Sequence, residues 1–387
     1  MTYDLLPALR RHLDGGLYVS LSRQSELFAA TASLGIPGLH IDTFSDPVSA
    51  VTRSLRFSKT KHEFIGSVRQ LKAPVALSMM RHVWTPFTAA ALRAAGVRVI
   101  EVLHDASPHP GESCPLWKRH LALSLRSTDG IVTLSNHVRD QVIAQYGYPG
   151  DRIWHVPHAS LSYATWNGPP RRLPTDRPIR LLFFGRLLCY KGLALLAKAY
   201  LEIAQFLPVT LHVAGFGKST GLEPLTGRSD VTIENRWVPE TEVGSLLQSA
   251  DVLLAPYSEA SQSGVVPCAY AAGLPVVATP VGGLREQVRD GVTGVRATRH
   301  EAPAFAAAIA QLIADPNLYS RCSAGALKAS SCELSISNMS LSLTRAVREI
   351  AVRPKRDMSS QRGTWRLIGV GVRPLRTSVS QPGPPEP

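Results

Sequence analysis

Two stretches of the sequence combine cations, glycines and short polar side chains in an order suited to gripping a diphosphate. The first is LLFFGRLLCYKG, residues 181–192. Its apolar run reads as a buried strand ending at Gly185, where the missing Cβ permits a sharp turn. Arg186 and Lys191 follow before the next helical stretch. A planar guanidinium fork beside a mobile ammonium suits a diphosphate; a pair of solvated loop cations is the plain alternative. The second is SADVLLAPYSEASQSGVVPCAYAAGLPVVATPVGG, residues 249–283. Strand Val252–Ala255 leads into the polar loop Ser258-Glu259-Ala260-Ser261-Gln262-Ser263, and Gly264 then opens a helix. Amides at a helix N-terminus, aided by its dipole, attract phosphate oxygens. Ser261 and Ser263 can equally act as helix caps. Glu259 is placed to accept hydrogen bonds from sugar hydroxyls.

These loops need a scaffold, and the alternation of short β-rich runs with helical stretches supplies one: parallel sheets joined by crossover helices. In the first half, strands are expected near Leu17–Leu21, Val75–Leu77, Val97–Val102, Ile131–Leu134 and Ile153–Val156, with helices at Pro115–Arg126 and Asn136–Tyr146. The pattern collapses between Ser160 and Pro178, where the proline- and glycine-rich sequence reads as a linker. It then restarts with strand Ile179–Phe184, helix Leu193–Leu207, strands Thr210–Ala214 and Val231–Glu234, helix Glu240–Ser249, strand Val252–Ala255, helix Gly264–Ala272 and strand Pro275–Ala278. The fold class is therefore α/β, with Rossmann-like domains over residues 1–160 and 179–330 and a linker at 161–178. A helix follows at 331–351, able to pack back on the first domain, and a basic Pro-rich tail at 352–387. Two such domains place a ligand cleft between them, outside the carboxyl ends of their strands.

Composition narrows the partners. The 387 residues carry 42 Lys+Arg against 29 Asp+Glu, a formal net charge of +13, with 44% hydrophobic and 18% charged residues. That balance excludes global disorder and points to anionic ligands or surfaces. No apolar run approaches the roughly 20 residues of a spanning helix. The first residues lack the apolar core of a secretory signal. Five cysteines, at 114, 189, 268, 322 and 332, show no CxxC spacing, which fits a reducing cytoplasm better than a zinc site or a disulfide framework. One basic cluster, Arg53, Arg56, Lys59, Lys61, Arg69 and Lys72, shares a predicted helix with Val48, Val51, Leu55, Phe64, Ile65, Val68 and Leu71. Such a helix can lie against anionic lipid or present an ordinary solvated face. No helix-turn-helix, zinc or aromatic RNA-reading signature accompanies the charge, so nucleic acid is not an expected partner.

The order GRLxxxKG, LHVAGFG (211–217), the 249–265 block, GLPVVATPVGG and DGVTG (290–294) resembles the nucleotide-sugar-binding domain of retaining glycosyltransferases of family four (glycosyl transferases group 1, GT-B fold), with a Ser-Gln-Ser-Gly-Val donor loop. The resemblance implies diphosphate contacts by Arg186 and Lys191, with donor binding by Glu259, Ser263 and the backbone of Gly264 and Val265. It places Trp237 and Val238, after Arg236, where backbone groups meet the base. In the first half, EVLHDASPHPGE (101–112) puts His104 just after a strand, where the family has its cleft histidine; GIVTLSNHV (130–138) and DRIWHVPHAS (151–160) resemble the next elements. His109 and His158 read as loop or structural residues.

Two departures stand out. Where many relatives place a second glutamate on the donor ribose, this chain has Cys268, with Glu259 nine residues ahead of it rather than eight, and a thiol is a poor acceptor for paired hydroxyls. Gly15-Gly16 precede the first apparent strand instead of following one, so the N-terminal domain is expected to lack its first strand and glycine-rich loop. The expected activity is that of a retaining, metal-independent hexosyltransferase. It uses a nucleoside-diphosphate sugar as co-substrate, with no resident cofactor, and Arg186, Lys191 and His104 as catalytic residues. The expected acceptor is a glycan or lipid-linked intermediate of polysaccharide or glycolipid biosynthesis, and the expected location is cytoplasmic, peripheral on the inner membrane face. A catalytically silent sugar-nucleotide-binding protein and a nucleotide-sugar epimerase of the same fold are the alternatives.

Overall fold

Short apolar strands alternating with helices build three parallel sheets among the described residues, two in the first half and one in the second. The computed structural model describes residues 2–13, 16–25, 28–110, 116–161, 163 and 165–356. The first half runs α1 (Thr2–His12), β1 (Val19–Ser22), α2 (Phe28–Ala32), β2 (Gly38–Ile41), α3 (Pro47–Leu55), α4 (Phe57–Gln70) and β3 (Val75–Ser78). It continues through α5 (Thr85–Ala94), β4 (Arg98–Leu103), α6 (Trp117–Arg126), β5 (Gly130–Thr133), α7 (Asn136–Tyr146) and β6 (Ile153–His155). Its strands fall into two parallel sheets, β1-β2 and β3-β4-β5-β6. Ahead of β1 the described chain forms α1 rather than a strand; Gly15 lies outside the described residues.

The second half begins with β7 (Ile179–Phe184), α8 (Leu193–Ile203), β8 (Val209–Gly215), β9 (Val231–Asn235), α9 (Glu240–Ser249) and β10 (Val252–Ala255). Then come α10 (Val265–Ala271), β11 (Val276–Ala278), α11 (Leu284–Gln287), β12 (Gly294–Arg296), α12 (Ala302–Ala314) and α13 (Pro316–Ser331). One parallel sheet results, ordered β12-β11-β10-β7-β8-β9. All four β10 side chains are buried, which explains why that strand reads as a continuous apolar run. The last helix, α14 (Ile336–Val352), returns to the first half and packs on α1, β3, β4 and β5. Its Met339, Leu343, Ala346 and Ile350 share a core with Leu5, Leu9, Ile100, Val102 and Val132. Burying each large aliphatic side chain contributes about 1.5–3 kcal/mol. The basic Pro-rich tail lies outside the described residues beyond Arg356.

Two expectations change. The basic helix predicted around residues 48–71 is two helices, broken at Arg56 with φ −92° and ψ 0°. Phe57 docks on Trp84, their rings 4.9 Å apart, and so starts α4 on a new course. Phe64, Ile65 and Val68 then pack with Leu92, Val97 and Val99, while Val48, Val51 and Leu55 on α3 remain exposed. The linker is not a free tether either. Arg171 donates to the carbonyls of Ala250 and Ala272 at the ends of α9 and α10, its amide bonds Ser323, and its guanidinium lies 4.3 Å from the centre of Trp166. An arginine can satisfy the orphan carbonyls of two helix ends at once, which pins the linker to the second half at Arg171.

The halves meet through loops at the carboxyl ends of their strands. Ser135, after β5, donates to the Ser261 carbonyl at 2.7 Å. Glu286, after β11, accepts from the amides of Asn136 and His137 at 3.0 and 2.9 Å, and so caps α7 from across the cleft. A carboxylate there also complements the helix dipole.

Candidate functional site

Parallel pairing aligns the ends of β7, β8 and β9, with Phe184 opposite Ala214 and Gly215 opposite Asn235. The turn out of β7 needs glycines. A Cβ on Gly215 would meet the Gly185 carbonyl at 1.7 Å, and one on Gly192 (φ +74°) would meet the Pro256 carbonyl at 1.9 Å. The second contact draws the 186–192 turn against the loop after β10. There Lys191 Nζ stands 3.7 Å from the centre of the Tyr257 ring and 5.1 Å from that of Tyr190. Arg186, exposed, donates through Nη2 to the Tyr190 hydroxyl at 3.0 Å. The amide and hydroxyl of Ser258 bond the Tyr190 carbonyl at 2.8 and 3.1 Å. Two tyrosines thus form a common floor under both predicted cations.

Glu259 and the start of α10 border the same floor. Gly264 is the first residue ahead of α10, and Val265 Cγ2 lies 3.7 Å from where a Gly185 Cβ would stand. Ser263 is differently employed: its hydroxyl meets the Tyr257 hydroxyl at 3.2 Å, its amide donates to Gln287 at 2.7 Å, and its carbonyl accepts from Gln287 at 2.9 Å. Both backbone groups are committed, so Ser263 supports the loop from within. Trp237 and Val238 follow β9 at the same sheet edge. The Trp237 ring is exposed while Val238 is buried in the second half's core, and Arg236 is held by Glu234 and Glu242. Two surface grooves of about 300 Å³ each run along β7, β8, β9 and α9, lined by residues such as Arg180, His212 and Arg236. Neither includes Arg186, Lys191 or Glu259, and the convergent charged groups mark the chemistry more directly than those grooves do.

From the first half, the loop after β4 supplies three groups. His104 Nε2 lies 3.1 Å from the Met79 carbonyl. An N–H must fill that bond, so Nε2 carries a hydrogen and Nδ1 is left for another partner. Asp105 bonds the Ser261 side chain and, at 3.1 Å, His109 Nε2. His109, read from sequence as a loop residue, is buried and reaches across the cleft. Its ring stacks on Tyr190 with centroids 4.3 Å apart at 11°, and Nδ1 stands 3.5 Å from Glu259 Oε1. Burial alone would raise the Asp105 carboxyl; hydrogen bonds from His109 and Ser261 and the nearby charges of His109 and His104 overcome it and hold the group below the ordinary carboxylate range. His158, read from sequence as a loop or structural residue, takes a structural place. It sits beside Gly264, with Nε2 3.6 Å from where a Cβ would stand there, and donates through Nδ1 to the Ala159 carbonyl at 2.9 Å. Burial pushes it down to about 4, so it is neutral at physiological pH.

Comparison with known proteins bears on the fold and on the broad class of activity. Residues 178–315 match the family described as Glycosyl transferases group 1, and residues 40–159 match Glycosyltransferase Family 4. A glycosyltransferase structure from Rickettsia africae superposes with a TM-score of 0.69 at 16% identity, covering 91% of this chain and 95% of that one. The fold is GT-B. HepE of Anabaena, solved in complex with UDP-glucose, gives the same TM-score of 0.69 at 16% identity, covering 90% and 95% of the two chains. In sequence, a D-inositol 3-phosphate glycosyltransferase of Xylanimonas cellulosilytica is 29% identical over 223 residues, 53% of each protein. The chain spans about half the length of the curated relatives it matches.

Within this GT-B cleft, Cys268 is no substitute for a ribose-binding carboxylate. It is buried, its Sγ donates to the Gly264 carbonyl of its own helix at 3.2 Å, and burial pushes the thiol up to about 11. The structure brings together Arg186, Lys191, Glu259, Gly264 and Val265, faces them with Asp105 and His109 of the loop that also carries His104, and leaves Trp237 and Val238 at the edge. Sequence reasoning missed the roles of Asp105, His109, Tyr190 and Tyr257. The HDASPH spacing was the one available signal for the first two, since it puts an acid and a histidine four residues apart in a loop leaving a strand.

Proposed function

We propose that the protein is a retaining glycosyltransferase that moves a sugar from a nucleoside-diphosphate donor to an acceptor hydroxyl. One observation carries the reading: Arg186 and Lys191 converge over Tyr190 and Tyr257 beside Glu259 and the start of α10, with His109 of the first half stacked on Tyr190. As the bond from the anomeric carbon to the diphosphate oxygen breaks, negative charge grows on the leaving group, and the two cations with the amides of Gly264 and Val265 stabilise it. The acceptor oxygen attacks from the same face, forming the new glycosidic bond, and its proton passes to the departing diphosphate. Charge neutralisation by arginine and lysine removes the need for a metal ion. Glu259 and the His104 Nδ1 side hold the sugar hydroxyls.

The complexes of the Anabaena protein with UDP and with UDP-glucose support a nucleoside-diphosphate donor. Relatives named D-inositol 3-phosphate glycosyltransferase and glycogen synthase support a polyol or glycan acceptor. The acceptor we favour is a glycan or lipid-linked intermediate of polysaccharide or glycolipid biosynthesis, met at the cytoplasmic face of a membrane. The test is a panel of nucleoside-diphosphate sugars, each with and without an acceptor mixture, reading nucleoside diphosphate release in the presence of EDTA. Acceptor-dependent release supports the proposal. Donor conversion without acceptor identifies an epimerase, and tight donor binding with no turnover identifies a silent binding protein.

A further inference from the structure

Three large apolar residues of α3 face solvent: Val48 is 74% exposed, Val51 65% and Leu55 82%. They recur at i, i+3 and i+7, so they form one stripe on one side of the helix. The stripe does not end with α3. Phe57, two residues beyond Leu55, joins Phe87 with ring centroids 6.0 Å apart, and Phe87 is itself 55% exposed. Met80 and Val83 are also exposed, on the loop that leads from β3 to Trp84, the ring on which Phe57 docks. A soluble surface scatters such residues singly, and a contiguous group rimmed by charge marks a docking face. The rim is predominantly basic, although Asp42 pairs with Arg53, Glu63 with Lys59, and Asp46 caps the start of α3. Residues 47–72 hold six Arg/Lys against one Glu, and Arg56, Lys59, Arg69 and Lys72 are exposed. Lys61 lies over the Phe57 ring at 5.5 Å.

We infer that this face, α3 with Phe87 and the 79–84 loop, seats the protein on an anionic lipid bilayer. Charge complementarity selects that occupant: an apolar stripe edged by lysine and arginine matches acyl chains beneath acidic headgroups. Placement ties the face to the cleft. The loop carrying Met80 and Val83 begins at Met79, whose carbonyl holds His104. Arg81 of the same loop is anchored 3.1 Å from the buried Glu101 of β4. A bilayer under α3 therefore lies beside the His104 wall, and a lipid-linked acceptor would enter from that side. This last point rests on the proposed transferase activity; the lipid docking itself does not.

The experiment is co-sedimentation of the full chain with vesicles of phosphatidylcholine alone or with one quarter phosphatidylglycerol. Val51→Asp/Leu55→Asp and Arg56→Glu/Lys59→Glu are run beside the wild type. All four positions are exposed, and unchanged thermal melts check folding. Wild type binds the anionic vesicles, and each double variant loses about tenfold or more in partitioning. Binding that survives both pairs unchanged overturns the inference and assigns attachment to another basic segment. No wild-type binding, or a self-associating wild type that becomes monomeric in Val51→Asp/Leu55→Asp, overturns it as well. Donor turnover on a water-soluble acceptor, measured in the same variants, separates failure of docking from failure of the transferase assignment.

Discussion

His158 sets a sharp test, because its placement fixes both a sign and a size. The ring is buried beside Gly264 and lowered from 6.5 to about 4, chiefly by loss of solvent, with the Ala159 hydrogen bond working the other way. A fall of that size favours the neutral ring by about 3 kcal/mol. The folded protein thus binds fewer protons than the unfolded chain between those two values. The contribution is fully present above pH 6.5 and is lost as pH falls toward 4. His158→Asn keeps a donor near the Ala159 carbonyl but cannot titrate. Between pH 7.5 and 4.5, denaturant unfolding of the wild type should lose about 2.5 kcal/mol more than that of the variant. Comparison with the variant cancels other groups, such as His82 and His155, which burial also lowers. Histidine ring NMR, assigned through the same variant, should show His158 titrating near the low value. A midpoint near 6.5, or identical pH slopes in the two proteins, would refute the buried neutral placement.

Three further outcomes follow from named contacts. Arg186→Ala and Lys191→Ala should each reduce transfer by about 10²–10³-fold with unchanged circular dichroism, and wild-type rates in both would remove the diphosphate assignment. Gly192→Ala forces a Cβ against the Pro256 carbonyl in a left-handed backbone, and should cost about 2 kcal/mol or more in denaturant unfolding along with activity. His109→Phe retains a ring to stack on Tyr190 but loses both carboxylate contacts. It should lower turnover by about tenfold while leaving the melting temperature close to wild type, with His109→Gln recovering part of the rate. A variant whose rate matches the wild type's would make His109 a packing residue alone.

Much of the second half was legible because its signals are local. Ile179–Phe184, Glu240–Ser249 and Val252–Ala255 form at the expected residues, since a buried parallel strand must be apolar throughout and a helix must repeat near 3.6 residues. The first half was harder. The strand at Gly38–Ile41 and the helix at Thr85–Ala94 escaped notice because half-exposed strands and alanine-rich helices carry weak periodicity. The basic segment after residue 47 has helical spacing along its whole length, yet docking of Phe57 on Trp84 breaks it in two.

What the amino-acid order determined alone is the alternation of elements, the glycine turn after β7 and the presence of Arg186, Lys191 and Glu259 on loops at strand ends. These follow from chain geometry within a dozen residues, which a reader can apply to the sequence directly. Tertiary structure decided the rest. Asp105 and His109 meet Ser261 and Glu259 only when the two halves close on each other. His158 becomes neutral only because packing strips its water, and α3 keeps its apolar stripe outside because α4 takes the core beneath it. Desolvation and contact between residues about 150 positions apart depend on how distant surfaces fit, and no spacing along the chain encodes that fit in readable form.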